Sequence, residues 1–311
     1  MIREALPQRI RRKYGRYWQL YLFLLIPLAY IIIFAYIPML GVQIAFKRFT
    51  ILGGIWRSPW VGLQNFFKFF SSYMLPRVIG NTLRISLYDI IAGFPFPIIF
   101  ALCLNTIENR RYKKFLQTVT YMPHFISVVV IVGMLMQIFH PLNGIYGIVV
   151  KALTGNQASD IFAKPGAFPH LYVWSGIWQG FGWSSIIYVA ALTAVPEELY
   201  EAARVDGASR FKMVLYVDLP ALAPTITILL ILRLGTVMSL GFEKAYLMQN
   251  NLNLRTSEFI STFVYKQGLA AGGPTDFSYA AAIGLFNSLV NLVLIILVNK
   301  LANKLSETSL W

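Results

Sequence analysis

The chain has 311 residues, of which 57% are hydrophobic and only 13% charged, and its mean hydropathy is +0.60. Because a soluble domain carries about 25% charged residues, this composition excludes most soluble folds. The 27 basic residues outnumber the 13 acidic ones, which gives a net charge of +14. These charges stand in clumps between long uncharged runs, whereas a nucleic-acid-binding protein gathers them on one surface. The composition therefore indicates an all-α membrane protein with no nucleic-acid partner.

Six apolar segments reach the length of about 20 residues that a spanning helix needs. The first is about twice as long as the apolar region of a signal peptide, and it contains Pro27 and Pro38. We therefore interpret it as a retained first transmembrane helix. The predicted spans are residues 18–44, 82–106, 115–139, 170–193, 221–242 and 277–299.

The distribution of basic residues predicts the orientation. One set of segments carries 15 Lys and Arg in 64 residues, namely 1–17, 107–114, 194–220 and 300–311. The alternate set carries 10 in 101 residues, namely 45–81, 140–169 and 243–276. Since cytoplasmic segments are enriched in basic residues, both termini are expected in the cytoplasm. The predicted organisation is a basic N-terminus, one six-helix domain over 18–299 and a short C-terminus.

Motifs for catalysis or cofactor binding are missing from the sequence. There is no P-loop, no H-E-x-x-H and no G-x-S-x-G. The three histidines stand far apart, and Cys103 is the only cysteine, so neither a metal site nor an intrachain disulfide is expected. The chain is therefore not expected to be an enzyme or to bind a cofactor itself.

The predicted cytoplasmic loop 194–220 has a pattern of helix, break and helix. Pro196 suits the start of a helix, Asp206-Gly207 is a turn signal, and Ser209 can cap the next helix. Leu219-Pro220 is expected to end that helix before the fifth span. A short helix rich in small residues that projects into the cytoplasm is suited to fit a groove in another protein.

This loop carries a longer pattern. Glu201-Ala202-Ala203 is followed by Gly207, Val217 and Leu219-Pro220 at fixed spacing. The arrangement resembles the signature E-A-A-x3-G-x9-I-x-L-P of permease subunits of binding-protein-dependent ABC importers, with Val217 where the family usually has Ile. Three shorter motifs resemble the carbohydrate-uptake branch, in particular the polysaccharide or oligosaccharide permeases of Gram-positive bacteria: Asn81-Thr82-Leu83, residues 121–127 and residues 241–243.

The resemblance implies a type I importer core with six helices in the bacterial cell membrane. It also implies a second homologous permease, two cytoplasmic ATPase subunits that bind ATP and magnesium, and an extracellular solute-binding lipoprotein. The solute would be an oligosaccharide, such as a fragment of a complex polysaccharide, moved by alternating access. The alternative is a phosphate ester or an amino acid carried by the same architecture. The residues expected to couple to the ATPase are Glu201, Ala202, Ala203, Gly207, Leu219 and Pro220.

Polar and aromatic residues within the spans are candidates for the solute pathway. Charged residues there are costly, so they line a cavity or find a partner. Side-chain amides form hydrogen bonds with sugar hydroxyls, and aromatic faces stack on sugar rings. Such residues also bridge helices or form interfacial belts in membrane proteins. An arginine near a helix end can extend its side chain to the membrane interface. The candidates are Arg84, Asp89, Tyr121, His124, Gln179, Trp183, Arg233, Asn287 and Asn291.

Overall fold

The computed structural model describes residues 17–270 and 275–306. The basic residues of the predicted cytoplasmic N-terminus, 1–16, and the end of the predicted C-terminal segment, 307–311, lie outside the described residues. Within the described ranges the secondary structure is helical apart from one isolated bridge between Lys47 and Trp60. The expectation of an all-α protein is therefore confirmed.

The helices follow one another with short connections. In chain order they are α1 (Trp18–Phe46), α2 (Gly54–Arg57), α3 (Gln64–Phe70), α4 (Leu75–Asn105), α5 (Arg110–Phe125), α6 (Val128–Ile138), α7 (Ile145–Thr154), α8 (Phe168–Thr193), α9 (Glu197–Val205), α10 (Arg210–Gly235), α11 (Phe242–Met248), α12 (Leu254–Ser257), α13 (Ile260–Gly268) and α14 (Phe277–Ser306).

Among the described residues, α1, α4, α10 and α14 are long and apolar enough to cross a membrane, and α5 with α6 forms a fifth candidate if the bent pair counts as one span. Helix α8 has 26 residues and measures about 39 Å. Tryptophans, serines and glycines make it less apolar than the other long helices. All six predicted segments thus fall mainly on helices, although the fifth, 221–242, runs past the end of α10 at Gly235. Their number as membrane spans stays a prediction.

The third predicted span, 115–139, is not one straight helix. Its two halves, α5 and α6, are bent by 97°. Pro123 lies in a short 3-10 turn, and the backbone is extended at Ile126 and Ser127. The Ser127 hydroxyl then accepts a hydrogen bond from the Val130 amide and starts a new helix. Tyr121, His124 and Phe125 all lie before the bend, at the end of α5, where the last turn is 3-10 and not α-helical.

The expectation that Leu219-Pro220 ends a helix before the fifth span is wrong. Helix α10 runs without interruption from Arg210 to Gly235. A wide π-helical turn over Val214–Asp218 precedes Pro220, and such a turn accommodates a proline that lacks an amide proton. The predicted cap is confirmed, because the Ser209 hydroxyl accepts a hydrogen bond from the Lys212 amide.

Helices α4 and α8 occupy the centre of the molecule. Both contribute to two apolar clusters, one with α6 and α11 and one with the middle of α10. A third cluster joins α4 to α3, α13 and α14. Helix α8 also crosses α5 closely: a Cβ atom on Gly182 would lie 2.2 Å from the Thr120 carbonyl oxygen.

Helix α1 stands apart from this core. Its first 22 residues, Trp18–Met39, include no buried side chain. Among them are large apolar side chains such as Phe23 and Ile26 that are well exposed. So large an apolar surface requires a cover of lipid or of another protein chain.

Candidate functional site

The first candidate site is a polar cavity of about 230 Å³ between α4, α8, α10 and α11. It lies beside the middle of α4 and α8, where the sequence predicts membrane-embedded helices. Its polar side chains come from four different segments of the chain, so only the folded helices bring them together. They are Ser86, Asp89, Tyr172, Gln179, Arg233, Thr236, Ser239 and Lys244.

An ion pair forms one wall of this cavity. The Arg233 guanidinium of α10 donates a hydrogen bond to the Asp89 carboxylate of α4. Both residues also line a second cavity of about 390 Å³, which is displaced along α4 and α8 toward the ends that flank the 194–220 loop. The prediction that each of these charges lines a cavity or finds a partner is therefore confirmed, since each does both.

Lys244 lies in the wall of the same cavity and is almost buried, with 9% of its surface exposed. Its ammonium group donates a hydrogen bond of 2.8 Å to the Tyr172 carbonyl oxygen and stands 5.0 Å from the centre of the Tyr172 ring. Gly176 leaves the space that the lysine occupies, because a Cβ atom there would lie 3.2 Å from Nζ. The cavity wall thus contains two cations and one carboxylate.

The candidates on the fourth and third predicted spans meet at the break between α5 and α6. Gln179 lines the first cavity, and its amide donates a hydrogen bond of 3.1 Å to the Ile126 carbonyl. The His124 ring stacks on Trp183 with their centres 4.6 Å apart. The walls of the two cavities do not include His124, Trp183 or Tyr121.

The remaining predicted pathway residues lie elsewhere. Asn291 joins α14 to the chain after α10: it accepts a hydrogen bond from the Met238 amide and donates one to the Ser239 hydroxyl. The Asn287 amide oxygen is buried without a hydrogen-bond partner among the described residues. Arg84 is exposed, about 140° around α4 from Asp89. These three residues do not contribute to the walls of the two cavities.

The second candidate site is the predicted cytoplasmic loop, residues 194–220, which contains α9. Gly207 has a φ of +73°. Its amide donates a hydrogen bond to the Arg204 carbonyl oxygen, and the Ala208 amide donates one to the Ala203 carbonyl oxygen. These two hydrogen bonds form a Schellman motif. Glycine is favoured there because this backbone conformation is unfavourable for other residues. Glu201 and Ala202 point away from the core and are exposed. The loop therefore ends α9 sharply and presents its surface to a partner.

A buried polar network ties α9 to two long helices. The Tyr200 hydroxyl donates a hydrogen bond of 2.5 Å to Asp218 Oδ1, and the Asn105 amide donates one of 3.1 Å to the same oxygen. Asp218 is only 2% exposed. Burial, together with the hydrogen bond to Asp218, raises the pKa of Tyr200 to about 12. Tyr200 therefore stays protonated and remains a donor at physiological pH.

Sequence reasoning missed several residues of both sites. Lys244 was assigned to an extracellular loop because it follows the fifth span, but α11 turns back toward α8. Tyr200 and Asp218 are 18 residues apart and belong to no short motif, so nothing in the sequence pattern pairs them. No group of three or more potential metal ligands was found among the described residues.

Comparisons with known proteins agree with this architecture. A family model described as "Binding-protein-dependent transport system inner membrane component" matches residues 93–307. The chain is 40% identical to Protein LplB of Bacillus subtilis over 292 residues, which cover 94% of this chain and 91% of the relative. It is 37% identical to the polygalacturonan/rhamnogalacturonan transport system permease protein YteP of the same organism, over 99% of this chain and 94% of the relative.

A solved structure has the same fold. It is the crystal structure of a bacterial ABC transporter involved in the import of the acidic polysaccharide alginate, with a TM-score of 0.86 and 35% sequence identity. The match covers 96% of this chain and 99% of that one. Because the relatives are permease components, the expectations of a membrane location and of a transport subunit that is not an enzyme are confirmed. This chain belongs to the family of inner membrane components of binding-protein-dependent transport systems.

Proposed function

We propose that the chain is the permease subunit of an ATP-driven importer that moves an oligosaccharide across the membrane. The observation that carries this proposal is a helical fold that combines a polar cavity between its central helices with an exposed short helix, α9, on the loop 194–220. Relatives named for sugar polymers support the choice of solute. One similar structure is an alginate transporter in complex with an alginate pentasaccharide-bound periplasmic protein, which supports an extracellular binding protein as the donor of solute here.

The surface of α9 is suited to dock in a cleft of an ATPase subunit. Ala202 allows close approach, Glu201 offers a carboxylate for a basic partner, and Val205 is 87% exposed although it is apolar. ATP and magnesium would be held by the two ATPase subunits, and this chain would hold neither. Closure of the ATPases would move α9 and expose the cavity alternately to the two faces of the membrane.

A second permease would complete the pathway. The described chain does not fully enclose the cavity, and α1 offers an apolar surface that no part of the described chain covers. A homologous permease is a natural partner for these surfaces, with lipid around the pair. Either cavity wall could then face a solute that lies between the two permeases.

The test is ATP hydrolysis by the reconstituted complex with its binding protein and a panel of di- to hexasaccharides. We expect one class of glycan to stimulate hydrolysis and Gly207→Asp to abolish both stimulation and uptake. Gly155→Asp is the matched control, since Gly155 also has a positive φ with open space around it but lies after α7, far from the loop in sequence. Normal uptake by Gly207→Asp would refute the docking role of α9.

The alternative solute is a phosphate ester or an amino acid. Arg233 and Lys244 in the cavity wall give this alternative its support. Stimulation by such a solute, without a response to any glycan, would keep the importer architecture and overturn the sugar assignment.

A further inference from the structure

Lys244 is a buried cation without a carboxylate partner. None of the ion pairs among the described residues includes it. Its ammonium group has three donors, and the Tyr172 carbonyl accepts one of them. A buried charge is costly unless an opposite charge and hydrogen bonds compensate it. The remaining donors therefore favour an anion at this position.

A second, independent feature lies in the same cavity. The Ser86 hydroxyl oxygen is buried and has no hydrogen-bond partner in the described structure, and Ser86 is only 4% exposed. Both Ser86 and Lys244 belong to the cavity wall. Since buried polar groups are nearly always hydrogen-bonded, an orphaned hydroxyl beside a polar cavity indicates a ligand that completes its bonding.

The nearby charges compensate the lysine only in part: burial lowers the pKa of Lys244 by more than the Asp89 carboxylate raises it. Among the described residues of the cavity wall, Asp89 is the only carboxylate, and it forms its ion pair with Arg233. The wall therefore keeps one unpaired positive charge when both cations are protonated. A neutral sugar would leave this charge uncompensated in a site of low dielectric constant, whereas an anionic sugar would neutralise it.

We propose that this cavity binds the carboxylate of a uronic acid unit, with Lys244 and Ser86 as its direct ligands, so that the imported solute is an acidic oligosaccharide. This inference rests on the proposed function and narrows its substrate class. Gln179, Thr236 and Ser239 supply the neutral hydrogen-bonding groups that sugar hydroxyls need. Arg233 stays paired with Asp89 and contributes to the electrostatic potential of the cavity.

The test uses the reconstituted complex with its binding protein and two matched probes, trigalacturonate and its fully methyl-esterified form, which has the same sugar ring without the negative charge. For Lys244→Met we expect uptake of trigalacturonate at limiting concentration to fall at least about tenfold, because hydrogen bonds to charged groups are strong, while uptake of the ester changes less than about twofold. Lys151→Met, at an exposed position on α7, is the control and should leave both rates unchanged.

Ser86→Ala gives a second measurement that does not disturb folding, since the hydroxyl makes no bond in the described structure. We expect the KM for trigalacturonate to rise about threefold to tenfold. Equal losses for both probes in Lys244→Met would show a packing role and overturn the inference, and so would unchanged uptake of the acid.

Two further outcomes separate the inference from the function on which it rests. A wild-type complex that imports the ester or neutral glycans in preference to the acid keeps the oligosaccharide importer and overturns the carboxylate site. A complex that responds to sugar phosphates or amino acids, but to no glycan, overturns both.

Discussion

The network of Tyr200, Asp218 and Asn105 leads to a prediction about coupling. It connects the short helix α9 with the end of α4 and the start of α10, through a carboxylate that is almost completely buried. In Tyr200→Phe the aromatic ring is kept and one donor is removed. Asp218 Oδ1 would then keep only the Asn105 amide as a side-chain donor.

The size of the effect follows from the charge of the acceptor. A hydrogen bond to a charged group contributes about 2 kcal/mol, and loss of the donor leaves a buried carboxylate poorly satisfied. Such a change corresponds to about a thirtyfold shift in the equilibrium between α9 attached to the long helices and α9 detached from them. Since the exposed surface of α9 is unchanged, its docking to the ATPase should persist.

The assay is the number of solute molecules imported per ATP hydrolysed by the reconstituted complex. We expect Tyr200→Phe to lower this ratio several-fold while ATP hydrolysis without solute continues. Tyr216→Phe is the matched control because Tyr216 lies on the same loop and is 76% exposed. A folded, membrane-inserted Tyr200→Phe complex with an unchanged ratio would refute the reasoning.

Two other substitutions test contacts within the membrane domain. Asp89→Asn leaves the Arg233 guanidinium without its carboxylate, so we expect lower thermal stability and slower uptake. Addition of Arg233→Gln should restore both in part. No recovery in the double variant would argue against the pair. Asn291→Leu leaves the Met238 amide without its acceptor, so we expect about 1–3 kcal/mol lower stability in thermal unfolding, and an unchanged melting temperature would contradict this.

The positions of the long helices were predictable because a membrane demands long apolar runs. The bend between α5 and α6 was not, although Pro123 and Ser127 are its local causes. A proline and a serine in an apolar run are compatible with a kinked span as well as with two helices, and only tertiary packing decides between them. Similarly, Pro220 predicted a helix end, but the π-helical turn before it removes the conflict.

The candidate site was predictable only in part. Charge within an apolar run identified Asp89 and Arg233, because such residues need a partner or a cavity. Lys244 gave no comparable signal, since it stands in a segment where lysines are ordinary. The chain pattern also could not show that Asn291 bonds a neighbouring backbone amide instead of facing the cavity. Residues of a loop that folds back onto the core carry no periodicity that relates them to the spans.

Polar contacts tie α4 and α10 together at two levels. Asp89 and Arg233 join them beside the cavity, while Asn105 and Asp218 join them next to α9. The two levels are 16 residues apart on α4 and 15 on α10, which corresponds to about 24 Å and 22 Å of helix. Because these lengths nearly match, both pairs can persist while the two helices move as one body. A displacement of α9 would therefore be transmitted to both cavities through α4 and α10, which are linked at both levels. Arg233 and Asp89 in the cavity wall would then move together.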